Sequence, residues 1–290
     1  MPIIQHALPL PCFIYAQTQI TDVRVDMDHR AKPRADVLTL LRRCRGIRQL
    51  SVSMDDRTYT SGHLWRMTSS VSEAMTNIES LSISRLWMRN LSAALAPCAA
   101  LKELTLHRYG ASRRDVIFPA LPSLTALTFS NVEEGRQDVD ISRLSNLKVV
   151  KFCNSHLWHV ELGHRREQPL ERIEIHGGML AQLISTMPVD EILIRDYDRK
   201  MLPMMLVPCV SKLSVERCKP SAEFSDDTLF MLQVTVSKLR IDARPAGRRR
   251  SSSSLPRWPY RLAKLDQVEL RNLPASYMAD IGSSVRIVRE

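Results

Sequence analysis

Apolar residues recur along this chain in one spacing, apolar-x-x-apolar-x-apolar. It occurs as Ile20-Val23-Val25, Ile47-Leu50-Val52, Ile78-Leu81-Ile83, Leu101-Leu104-Leu106 and Leu124-Leu127-Phe129. It continues as Leu147-Val150-Phe152, Leu170-Ile173-Ile175, Val189-Ile192-Ile194, Val210-Leu213-Val215, Val236-Leu239-Ile241 and Leu265-Val268-Leu270. The start-to-start intervals are 27, 31, 23, 23, 23, 23, 19, 21, 26 and 29 residues. Four consecutive intervals of 23 are beyond what scattered triplets in an apolar-rich chain would give, so the pattern is an internal repeat. Within each copy the apolar positions predict a short strand with positions one, four and six inward and three, five and seven outward. One such strand cannot bury its apolar edge alone, so neighbouring copies must stack into a parallel sheet. The intervening stretches, such as RADVLTLLRRC, HLWRMTSSVSEAMT and RNLSAALAPC, read as short helices or irregular segments.

Two copies extend the pattern. LKVVKFCNSHL (Leu147–Leu157) and LERIEIHGGML (Leu170–Leu180) add a final Leu, and VSKLSVERC (Val210–Cys218) ends on a Cys. These residues resemble the leucine-rich repeat, L-x-x-L-x-L-x-x-[N/C]-x-L. The resemblance implies an α/β solenoid: a curved horseshoe with a parallel β-sheet on its concave face and short helices or irregular segments on its convex face. This chain departs from the family at the Asn position. Tyr109, Val132 and Tyr197 stand there, Ser155 and Gly178 in the two best copies, while Asn131 and Asn272 fall one residue early. The expected organisation is a lead-in over residues 1–19 and a repeat domain over 20–290 of about eleven copies, with a basic Ser-rich insertion at 244–259.

Composition adjusts this picture in three places. The 290-residue chain is 44% hydrophobic, enough for a sizeable core, and no run reaches 18 apolar residues, which argues against membrane insertion. Cys12, Cys44, Cys98, Cys153, Cys209 and Cys218 form no C-x-x-C pair, so they read as small buried hydrophobes in a reducing compartment. The N-terminus lacks the basic start of a secretory signal, and its first Arg is Arg24. The expectation is an intracellular protein, cytoplasmic first, with mitochondrial and nuclear alternatives. The net charge of +10 is concentrated: residues 243–264 carry seven basic residues and no acid.

Candidate chemistry is sparse. Phosphate-binding glycine loops, nucleophile elbows and H-E-x-x-H are absent from the sequence. His156, His159 and His164 lack a completing ligand set, and Glu133, Glu134, Asp138 and Asp140 read as a solvated loop. Neither catalysis nor a cofactor is expected. Function then falls on outward strand positions, which repeat folds use for binding. Ser82, Ser84, Glu103, Thr105, His107, Thr128 and Ser130 make a hydroxyl-rich strip. Lys151, Arg172, Glu174, His176, Arg195, Glu216 and Arg240 make a strip of interleaved charge suited to a protein partner. Arg248, Arg249 and Arg250 precede Ser251 and Ser252, a pattern fit for phosphorylation or for holding nucleic-acid phosphates. The leading expectation is a non-catalytic scaffold or adaptor binding protein partners. One alternative is a structural subunit of a ribonucleoprotein or other large assembly, using the basic segment with Arg113–Arg114 and Arg165–Arg166. Another is the substrate-recognition subunit of a ubiquitin ligase, ranked lower because residues 1–19 are short for an F-box module.

Overall fold

The computed structural model describes residues 20–27, 39, 41–44, 46–54, 75–84, 87–88, 91–108, 110–111, 115–132, 138–162, 169–197, 199–218, 222–233, 235–243, 258–262, 265–271 and 286–288. The lead-in at 1–19 and the insertion from 244 to 257 lie outside the described residues. The chain forms a parallel-strand solenoid, and it divides into two compact units, Met1–Leu147 and Lys148–Glu290.

In the first unit the main strands are β1 (Asp22–Met27), β2 (Gln49–Met54), β3 (Ser80–Ser84), β5 (Glu103–His107) and β8 (Ala126–Ser130). Each pairs in parallel with the next, and the triplets stay in register: Leu50 faces Leu81, which faces Leu104, which faces Leu127. A smaller pair joins β4 (Trp87–Met88) to β6 (Gly110–Ala111). Another joins β7 (Asp115–Ile117) to β9 (Asp138–Asp140). In the second unit the main strands are β10 (Val149–Cys153), β12 (Leu170–His176), β14 (Val189–Arg195), β16 (Val210–Cys218), β17 (Lys238–Ala243), β18 (Gln267–Arg271) and β19 (Arg286–Val288). A second parallel row runs through β11 (His156–Glu161), β13 (Met179–Ile184) and β15 (Met204–Leu206).

The apolar triplets do what their spacing predicts. From Ile47-Leu50-Val52 to Val236-Leu239-Ile241, positions one, four and six are buried in every copy. Phe129 at position six meets Phe118 edge to face, with ring centroids 6.1 Å apart. Neighbouring coils are also tied at position two, where one carbonyl takes two N–H groups from the next coil. Thr21 O accepts from Arg48 N and Gln49 N, Arg48 O from Glu79 N and Ser80 N, and Glu79 O from Lys102 N and Glu103 N. Ser237 O repeats this with Asp266 N and Gln267 N.

The return segments, expected as short helices or irregular stretches, are helical in part of RNLSAALAPC and at residues 39 and 41–43 of RADVLTLLRRC, but strands predominate elsewhere. Most described ones are strands, and the described helices of five residues or more are α1 (Leu91–Leu95) and α2 (Asp226–Gln233). Path length explains the choice: a strand advances about 3.3 Å per residue and a helix about 1.5 Å. A 23-residue coil with its front strand fixed has few residues left to return, so extended chain covers most of that distance and the coil from Ile78 to Leu101 has room only for the five-residue α1. Helix α2 occupies the 26-residue interval from Val210 to Val236. Ser225 caps it, its Oγ accepting from Thr228 N at 3.3 Å, and Asp226 and Asp227 suit the positive end of its dipole. Its buried Thr228 accepts from Met205 N at 3.0 Å, so the helix closes the edge of β15 with a side chain in place of another strand. Among the described residues no helix is long and apolar enough to cross a membrane.

The weak Asn position has a local cause. Position eight of successive copies is left-handed: Arg108, Asn131, Asn154, Gly177, Asp196 and Arg217 all have φ between 48° and 61°. Asn, Asp and Gly tolerate that conformation, which is why Asn131 appears one residue before its family position. The turn then aims position nine inward. There Ser155 Oγ donates to Cys153 O at 3.1 Å, Tyr197 Oη to Leu180 O at 3.2 Å, and Cys218 Sγ to Glu216 O at 3.3 Å. Ser155 and Cys218 satisfy backbone carbonyls at the bend, the service an Asn would provide, and Tyr197 satisfies one in β13 of the preceding coil. Among the cysteines, Cys44, Cys98 and Cys218 are buried free thiols, Cys153 is half-buried and Cys209 exposed. Burial pushes the Cys98 thiol up to about 12, which makes it inert.

Two substitutions test this architecture. Leu127→Ala should cost roughly 2–5 kcal/mol in denaturant unfolding, because its side chain is fully buried at position four. Gly178, at φ 68°, has no room for a Cβ, which would strike the backbone of Ser155. Gly178→Ala should therefore destabilise by about 1–3 kcal/mol. Gly177→Ala should cost less, because its nearest obstacle is the Asn154 side chain, which can move.

Candidate functional site

Strand alternation turns the outward positions of the second unit into three rows across β10, β12, β14, β16, β17 and β18. The first row is Val149, Arg172, Glu191, Lys212, Lys238 and Gln267. The second is Lys151, Glu174, Leu193, Ser214, Arg240 and Glu269, and the third is Cys153, His176, Arg195, Glu216, Asp242 and Arg271. Each inward triplet fixes its strand's register, so these side chains are placed by the core beneath them.

The charges form two clusters. Glu174 lies at the centre of the first, with Lys151 Nζ at 3.3 Å, Arg172 Nη1 at 3.4 Å and His176 Nε2 at 3.1 Å. Arg172 also reaches Glu191 at 2.8 Å, and Lys212 takes the other oxygen of Glu191 at 2.8 Å. In the second, Arg195 grips Glu216 Oε2 through Nε at 2.8 Å and Nη2 at 2.6 Å. Arg240 bridges Glu216 and Glu269 at 3.4 and 3.8 Å, and Arg271 holds Glu269 at 2.8 Å. Glu174 and Glu216 are buried and Glu191 and Glu269 half-buried, and the basic side chains around them are more exposed: Glu216 is 9% exposed and Arg195 33%. The expected site residues Lys151, Arg172, Glu174 and His176 are thus brought together, as are Arg195, Glu216 and Arg240.

Burial is the largest influence on Glu174 and acts to raise its pKa. The hydrogen bond from His176, the attraction and hydrogen bond of Lys151 and the charge of Arg172 outweigh it, holding the carboxyl below its usual value.

The first unit presents a different outward surface. Ser51, Ser82, Thr105 and Thr128 lie in one row, and Ser53, Ser84, His107 and Ser130 in the next. His107 Nδ1 lies 3.3 Å from Ser130 Oγ, which also accepts from Asn131 Nδ2 at 3.3 Å. Glu103 lies in the row of Ser80 and Ala126 and is exposed. Beside this strip, the Lys102 hydrogen bond and charge hold the Glu79 carboxyl below its usual value.

Arg248, Arg249, Arg250, Ser251 and Ser252 lie outside the described residues, as do Arg113–Arg114, Arg165–Arg166, His164, Glu133 and Glu134. Among the described residues, no group of three or more His, Cys, Asp or Glu side chains could hold a metal ion. Leu193 and Ser214 were not among the expected site residues. Both hold position five of their copies, so the strand period pointed to them, but their neutral side chains did not stand out beside charged neighbours. No protein-family model matches this chain, and no curated protein matches it.

Because the folded Glu174 titrates below the unfolded one, its ionised form adds stability above the ordinary Glu pKa of about 4.3. That stability is lost as pH falls through the lower folded value. Glu174→Gln should therefore be less stable than wild type at neutral pH. Urea unfolding at a series of pH values should show the gap narrowing toward pH ~3.

Proposed function

We propose that this chain is a solenoid of leucine-rich-repeat type that acts as a non-catalytic scaffold or adaptor, holding a protein partner on its outward strand face. The inward triplets and the buried position-nine groups that bond backbone carbonyls support the repeat assignment. One observation carries the functional reading: the ion-pair lattice of the second unit. Its carboxylates are buried or half-buried while its basic side chains are more exposed, so the sign pattern is fixed before any partner arrives. Such a pattern sets partner choice and register more than raw affinity. Individual exposed pairs contribute only about 0–1 kcal/mol to folding, so stability alone gives a weak reason for a lattice of this extent.

Affinity purification of the tagged chain, with and without nuclease, tests the reading. Protein partners should survive nuclease and be lost from a Glu triple variant at Arg172, Arg195 and Arg240 that keeps its circular-dichroism spectrum. Partners released by nuclease would overturn it in favour of the ribonucleoprotein alternative.

A further inference from the structure

The outward rows of the second unit carry seven basic residues (Lys151, Arg172, Arg195, Lys212, Lys238, Arg240 and Arg271) against five acidic ones (Glu174, Glu191, Glu216, Asp242 and Glu269). The surplus collects at one place. Lys212 pairs with Lys238 and Ser214 with Arg240 on adjacent strands, making a two-by-two block of three cations and a hydroxyl. Its sides measure about 4.8 Å between strands and about 6.6 Å along them.

Three features coincide in this block; one of them, a buried guanidinium Nε without a hydrogen bond, also occurs at Arg172, but there no unbonded hydroxyl lies beside it. Lys238 is exposed and has no ion-pair partner among the described residues. Ser214 is 1% exposed, and its Oγ has no hydrogen-bond partner. Leu213 and Val215 on either side face the core, so Ser214 points to the outward face, beneath its longer neighbours. Arg240 Nε is likewise buried without a hydrogen bond, its contacts to Glu216 and Glu269 being ion pairs at 3.4 and 3.8 Å. Buried polar groups are nearly always hydrogen-bonded, because leaving one unmade costs its full desolvation. Two such donors in one row, beside an ammonium with no ion-pair partner among the described residues, form a half-built oxyanion site. The bordering carboxylates already have close basic partners: Glu191 in Arg172 and Lys212, Glu216 in Arg195, and Glu269 in Arg271, with Arg240 at longer range from the last two.

We infer that the Lys212–Lys238–Ser214–Arg240 block takes a side-chain carboxylate from an extended acidic segment of a partner protein. The carboxylate accepts from Ser214 Oγ and Arg240 Nε, with Arg240 drawn off its two long ion pairs and Lys238 closing from the rim. Charge-assisted bonds of this kind are the strong ones, and two donors on neighbouring strands suit the two oxygens of one carboxylate. This inference rests on the scaffold reading and names the chemistry of its partner.

The test is fluorescence anisotropy of a labelled hexaglutamate peptide against the full chain at low salt, with hexalysine and oligouridine probes of equal length. Hexaglutamate should bind and hexalysine should not. Arg240→Gln and Lys238→Gln should each weaken binding about 10-fold, and Ser214→Ala about 3- to 10-fold. Arg48→Gln in the first unit should leave binding unchanged. Ser214→Ala should keep or raise the melting temperature, since it removes a buried hydroxyl that bonds nothing, so its loss of binding cannot be misfolding. Absence of hexaglutamate binding, or binding indifferent to Ser214→Ala and Arg240→Gln, overturns the inference. Tighter binding of oligouridine through the same residues overturns it too. If nuclease-resistant, charge-sensitive partner capture persists in any of these cases, the scaffold reading stands and only the acidic segment falls.

Discussion

Each coil of this chain relies on the next for both its hydrophobic burial and its backbone hydrogen bonds. A single triplet such as Leu101-Leu104-Leu106 has one apolar edge and no way to cover it without the coils on either side. The position-two carbonyls of Thr21, Arg48, Glu79, Lys102 and Ser237 add a backbone counterpart, each accepting two N–H groups from the following coil. Register is therefore common property: a slip of one residue would bring outward charges such as Glu174 and Arg195 into the core. From this follow the parallel strands, the repeated left-handed turn and the straight rows of side chains on the outward face.

The turn links local conformation to function. A left-handed residue at position eight directly follows the front strand in five of six successive coils, β16 alone running on to Cys218 through a register shift, so the outward rows up to position seven stay in line. Position nine then bonds a carbonyl from inside the coil, with Ser155, Tyr197 or Cys218 as chemistry allows. Three different side chains serve because the bend needs a donor of adequate reach and does not need a particular residue. The basic side chains of the outward face can then spread over buried and half-buried carboxylates without disturbing the backbone that carries them.

The front strands were legible in the sequence because their signal is redundant: three apolar positions per copy, four times at an interval of 23, all buried in every copy from Ile47 to Ile241. The second strand row was not. Its members are as short as the three residues Asp115–Ile117 or Met204–Leu206, and stretches of that length carry no period of their own. They are strands because β9 partners the first and β13 the second, a tertiary cause invisible in the local residues. The lattice was readable as alternating charge, since strand period two places Arg172, Glu174 and His176 on one face. The burial of its neutral members Leu193 and Ser214 was not. Burial there comes from long side chains of neighbouring strands closing overhead, which no spacing within one strand reports.

The double acceptance at position two has a mechanical consequence. These bonds run from coil to coil and not along the chain, so tension applied along the stack of a unit loads each junction in turn. Such a unit under force should not give way all at once. It should pay out length in steps, one coil per step, with the weakest junction first. The helix at Asp226–Gln233, which closes the edge of β15 through one Thr228 hydroxyl, is a natural place for the back row to part.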